Sequence, residues 1–101
     1  MSPDLENKLY TEFPKLFVQK YLPKEKTCMC WGIETPDEWF NVLFRLCTVI
    51  QEYIDTKENI KQIEFTQIKE KFGYLRVYTN YDDRFVQGAI AMADKMIADE
   101  P

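Results

Sequence analysis

The feature that most restricts this chain is a glycine set directly before six strictly alternating residues: Gly73 precedes Tyr74-Leu75-Arg76-Val77-Tyr78-Thr79. Side chains alternate faces along a strand, so Tyr74, Arg76 and Tyr78 share one face while Leu75, Val77 and Thr79 share the other. A reversal ahead of such a strand needs a residue that tolerates positive φ, which Gly73 supplies. Upstream, Ile63, Phe65 and Ile68 provide apolar residues for a partner strand, though their spacing is less regular. A helix is the competing reading there, since Ile60, Glu64, Gln67 and Lys71 can share a helix face; Phe65 and Thr66 favour the strand. The expectation is a β-hairpin over about residues 60–79. One of its faces is apolar, for helices to cover, and the other is aromatic and basic.

The remaining segments read as helices that can cover such a face. Ser2 can cap a first helix with Pro3 at its first position, followed by Leu5, Leu9 and Phe13 on one stripe until Pro14. A short helical turn with Leu16, Phe17 and Tyr21 ends at Pro23, and Lys24 to Glu34 reads as an irregular connection. Thr35-Pro36-Asp37-Glu38 has the form of a capping box. It should open a long helix reaching about Asp55, with Trp39, Leu43, Leu46, Ile50 and Ile54 as its apolar stripe. Asn80 to Asp83 supply a turn and a cap, and Val86, Ile90, Ala93 and Ile97 mark a last amphipathic helix. Gly88 weakens that helix or marks a close helix–sheet contact, and Ala98 to Pro101 should fray. This order predicts one α+β domain of two layers, helices packed on a small antiparallel sheet. Because two strands alone are marginal, a third must come from around Met29 to Ile33 or from a partner chain, which would make a homodimer.

Composition narrows function by exclusion. A chain of 101 residues with 46% hydrophobic content can bury a core. Its net charge of −4 argues against bulk nucleic-acid binding, which draws most of its affinity from phosphate neutralisation. There is no histidine, so imidazole acid–base chemistry, Ser-His and Cys-His pairs and the commonest metal ligand are all missing. Cys28, Cys30 and Cys47 are an odd set, and a bridge between Cys28 and Cys30 would be strained, which favours reduced thiols. Their spacing offers no four-ligand zinc site, so Cys28, Met29, Cys30 and Trp31 are expected to pack beneath the helices. Without basic and apolar leader regions or an apolar run of ~20 residues, the expected location is the cytoplasm, with no membrane contact.

One constellation suggests a role beyond folding. Lys69, Lys71, Tyr74, Arg76 and Tyr78 should lie together on the basic–aromatic face, where Arg76 and Lys71 can hold a phosphate or carboxylate and the tyrosines can stack. The alternative is a solvated face in which Arg76 pairs with Glu64 or Glu70. Phe72, beside the turn glycine, can anchor a partner or fold back on a helix. The acidic pairs Asp37/Glu38 and Asp82/Asp83 sit at helix starts, where capping accounts for them better than magnesium binding or acid–base work. Asp99/Glu100 belongs to the tail. No cofactor or metal is expected.

Two strings, Cys28-Met29-Cys30-Trp31-Gly32-Ile33-Glu34 and Gln67-Ile68-Lys69-Glu70-Lys71-Phe72-Gly73-Tyr74-Leu75-Arg76-Val77-Tyr78, resemble an uncharacterised family of small phage and prophage proteins. The resemblance extends from about Leu5 onward. It departs at Thr35-Pro36-Asp37-Glu38, where the family often has Cys-Gly-Asp-Gly, and this chain lacks the family's closing C-x-x-C. A metal site built on those cysteines is therefore not expected. The resemblance implies a phage origin and no established chemistry. Together these readings predict a non-enzymatic binding protein that counters a host defence system. It would do so by sequestering a small anionic ligand such as a nucleotide signal, or by docking on a host protein. A structural module pairing through its hairpin edge is the alternative.

Overall fold

The computed structural model describes residues 1–99. Three helices, α1 (Pro3–Glu12), α2 (Phe40–Thr56) and α3 (Arg84–Asp99), pack with three strands, β1 (Ile33–Glu34), β2 (Phe65–Lys71) and β3 (Tyr74–Thr79). The architecture is α+β. The expected fraying of Ala98 to Pro101 falls partly outside the described residues; within them, α3 continues to Asp99.

The sheet runs β1-β2-β3, with β2 and β3 antiparallel and β1 parallel to β2, so it is mixed rather than purely antiparallel. The third strand comes from the end of the Met29–Ile33 window, within the chain. Ile33, Ile68 and Val77 form one buried row across the three strands. The irregular spacing upstream of the hairpin has a specific cause. A bulge between Phe65 and Gln67 inserts Thr66 and shifts the alternation by one residue. Phe65 and Ile68 are three positions apart, and only that shift puts both on the core face. Thr27 Oγ1 donates to the Thr66 carbonyl at 3.1 Å, tying the bulge to the N-terminal half. β2 therefore starts at Phe65 rather than near Ile60. Its opening is closed by Asn80, whose Oδ1 accepts the Glu64 N–H at 2.8 Å while its own N–H donates to the Glu64 carbonyl at 2.9 Å.

The core joins these strands to all three helices. Leu43, Leu46, Cys47 and Ile50 of α2 and Val86, Ile90, Ala93 and Ile97 of α3 are buried, as the apolar stripes require. Phe13 meets Phe44 edge-on at 5.0 Å between ring centres, and Phe17 meets Phe65 at 5.1 Å. Asp83 caps α3, accepting the Val86 N–H at 3.1 Å and the Tyr53 hydroxyl at 2.9 Å.

Two local expectations fail, and one pair of alternatives is decided. The capping box does not form: a 3₁₀ turn over Asp37–Trp39 precedes α2, and Thr35 Oγ1 is buried without a hydrogen-bond partner. Asp37 instead accepts the Ser2 N–H at 2.7 Å, joining two helix starts. Of the residues expected beneath the helices, only Met29 is buried; Cys28 and Trp31 are exposed. Gly88 has nothing within 4 Å of where a Cβ would stand, so it marks no close contact. Gly88→Ala should thus stabilise the protein by about 0.5–1 kcal/mol, read as a higher midpoint in urea. Gly32 behaves oppositely: its φ is +83° and a Cβ there would run into the Glu6 carboxylate. Gly32→Ala should cost more than about 1 kcal/mol in the same measurement.

Each sheet edge has at least one backbone group taken up by another part of the chain. At β1, the Ile33 N–H donates to Glu6 Oε2 at 2.6 Å and the Ile33 carbonyl accepts from the Met1 ammonium at 2.9 Å. At β3, the Leu75 N–H donates to Asp94 Oδ1 at 2.9 Å. A strand docking along β3 would have to displace that carboxylate.

Candidate functional site: the open face of the hairpin

Cross-strand pairing decides which side chains share a face. Gln67 lies opposite Tyr78, Lys69 opposite Arg76, and Lys71 opposite Tyr74. All five singled-out residues, Lys69, Lys71, Tyr74, Arg76 and Tyr78, therefore project from the side opposite Ile68, Leu75 and Val77. β1 adds one carboxylate to this face, because Glu34 pairs with Lys69 in parallel register. The central row is thus Glu34, Lys69 and Arg76, flanked by the two tyrosines.

The cations on this face are not spent on the fold. Among the described residues, the single ion pair within 4.0 Å joins Lys95 to Asp99 on α3. Arg76 does not take up either carboxylate suggested as its partner: Glu64 accepts from Gln19 Nε2 at 3.0 Å, and Glu70 accepts the Gly73 N–H at 2.5 Å. Arg76 lies instead over Tyr74, its Cζ 5.7 Å from the ring centre, a contact that leaves the guanidinium hydrogens available. Tyr74 and Tyr78 are both exposed. The arrangement offers cation and phenol donors on an open surface but no enclosure. Cavities lie elsewhere, among them one of about 540 Å³ between α1 and the start of α2 and one of about 280 Å³ between α2 and α3 beside Val49, Met92 and Met96.

Phe72 supplies the second part of the site. The reversal has two central residues, both with positive φ: +54° at Phe72 and +84° at Gly73. That is the pattern of a type I′ hairpin, whose first central position favours Asn, Asp or Gly. A phenylalanine held left-handed costs roughly 1–2 kcal/mol. It is also 87% exposed, so it does not fold back over a helix. With so little of the ring covered, its own packing against the described residues offsets little of the strain.

Sequence reasoning overlooked a second cluster, at Glu6, Tyr10, Lys20, Tyr21 and Trp31, which surrounds a cavity of about 280 Å³. Its members come from three separate segments, and the one sequence signal is Trp31 directly before Gly32, a tryptophan that the structure places at the surface rather than in the core. Among the described residues, no three Cys, Asp or Glu side chains come together as a metal centre would need. No helix among the described residues is long and apolar enough to cross a membrane. No family model, curated protein or solved structure matches the chain.

Proposed function

We propose that this protein is a non-catalytic binding protein of phage origin, which docks on an acidic surface of a host protein through the open face and tip of its hairpin. The observation that carries this reading is Phe72: a large aromatic held at positive φ, almost wholly exposed, at the end of a face with three unpaired cations. Strain at a residue with no partner inside the fold points to a partner outside it. An exposed aromatic beside arginine and tyrosines is the composition of an interface hot spot. The phage origin rests on the two strings shared with small phage and prophage proteins, and interference with a host defence system and action in the host cytoplasm follow from that origin.

One observation favours a protein partner over a sequestered nucleotide, and a second favours the hairpin face over its edge. None of the five face residues lines a main cavity, whereas small ligands bind in concave sites that cover most of their surface. Asp94 and Glu6 also obstruct the sheet edges, which favours docking on the face over strand pairing.

The test is affinity capture from host lysate with the parent and with Lys69→Glu/Lys71→Glu/Arg76→Glu. The parent should retain a stoichiometric protein, held less well as salt rises, and the variant should retain it at least about tenfold more weakly. Equal capture by both would overturn the reading. Calorimetric heat with a nucleotide, lost on Arg76→Ala, would replace it with sequestration.

A further inference from the structure

A separate site, independent of the hairpin face, lies between α1 and the two short turns that precede β1. Lys20 Nζ stands 3.9 Å from the ring centre of Tyr10 and 4.4 Å from that of Tyr21. Among the described residues no carboxylate approaches it within 4.0 Å, so the ring faces rather than an ion pair hold this ammonium. The cavity around it is about 280 Å³ and is also lined by Glu6, Cys30 and Trp31.

Its inner wall is rigid. Tyr10 packs edge-on against the buried Phe17 at 5.2 Å and its hydroxyl donates to Glu6 Oε2 at 3.4 Å. The same Glu6 oxygen is anchored by the Ile33 N–H, and Gly32 leaves the space beside it free of a side chain. Burial, then the nearby Glu6 charge, pushes the Tyr10 phenol well above its usual range, so the phenol stays neutral. The outer wall is not used by Lys20. Trp31 is 65% exposed and, among the described residues, pairs with no ring or cation.

We propose that Tyr10, Tyr21, Trp31 and Glu6 form a receptor for a quaternary or fully methylated ammonium group, and that the Lys20 ammonium is its internal plug. A primary ammonium is strongly hydrated and loses hydrogen bonds to water when it lies on rings, whereas a quaternary one has none to lose. A quaternary group in the cavity can also meet Trp31, which lines it and is the best of the aromatic faces for a cation. Glu6 adds a fixed negative charge beside the site.

The experiment is an NMR titration of the full chain with tetramethylammonium, followed by choline and free trimethyllysine to separate the two natural sources of this group. The Trp31 indole N–H should shift, and Lys20→Met, which removes the plug, should bind about tenfold more tightly than the parent. Tyr21→Ala and Trp31→Ala, both at exposed positions, should each weaken binding about fivefold or more in the Lys20→Met background. Choline should bind about tenfold more tightly than its uncharged carbon isostere 3,3-dimethylbutanol. The proposal is overturned if folded Lys20→Met, judged by its spectrum, shows no shift with any of the three cations. It is equally overturned if the isostere binds as well as choline.

Discussion

Phe72→Asn should make the protein more stable by about 1 kcal/mol and its partner complex weaker by about 2 kcal/mol or more, roughly thirtyfold. The two effects have different origins. Asparagine tolerates the left-handed backbone at the first turn position, so the strain of φ +54° is relieved without changing the register of β2 and β3. The ring, 87% exposed, contributes little to the folded chain, so its removal opens no cavity. What is lost is an apolar anchor beside Arg76 and the tyrosines. Opposite signs are the useful part of the result: a weaker complex from a more stable protein cannot be blamed on unfolding. Urea midpoints and capture from lysate read the two quantities separately. A destabilised Phe72→Asn would mean that the ring packs within the fold.

Phe65→Ala should destabilise the protein by about 3–5 kcal/mol, a large share of the 5–15 kcal/mol that typically holds a domain together. Phe65 is fully buried, meets the Phe17 ring at 5.1 Å, and its N–H donates to the Leu16 carbonyl at 2.9 Å. It also begins the bulge that puts Ile68 on the core face. Truncation leaves a cavity between the N-terminal turns and the sheet, where the two halves of the chain meet. Circular dichroism against temperature should show a broadened transition at much lower temperature. A loss below about 1 kcal/mol would contradict the account of Phe65 as the joint between those halves.

The parts legible in the sequence were those governed by local periodicity. Tyr74 to Thr79 alternates without interruption, and the strand occupies those six residues. The helix stripes were readable for the same reason, and Asp83 caps α3 from the turn where a cap was expected. The shared face of Lys69, Lys71, Tyr74, Arg76 and Tyr78 also followed, because a two-residue turn fixes the register between adjacent strands. The rest depended on contacts distant in sequence. The Thr66 bulge makes Phe65 and Ile68 look mis-spaced unless the insertion is known. Two residues of β1 are too few to show any period, and their parallel partner lies 35 positions away. Thr35-Pro36-Asp37-Glu38 has a capping-box pattern, yet the chain opens α2 with a 3₁₀ turn and leaves Thr35 Oγ1 without a partner. The rings at Tyr10, Tyr21 and Trp31 are made neighbours only by the packing of short turns.

The most direct test of the docking claim is photocrosslinking in host cells, with benzoylphenylalanine in place of Phe72, of Tyr78, or of the exposed Gln87 on α3 as a control. The account predicts one and the same host protein attached from positions 72 and 78, and none from 87. Adducts arising equally from all three positions, or none from 72 and 78, would contradict it.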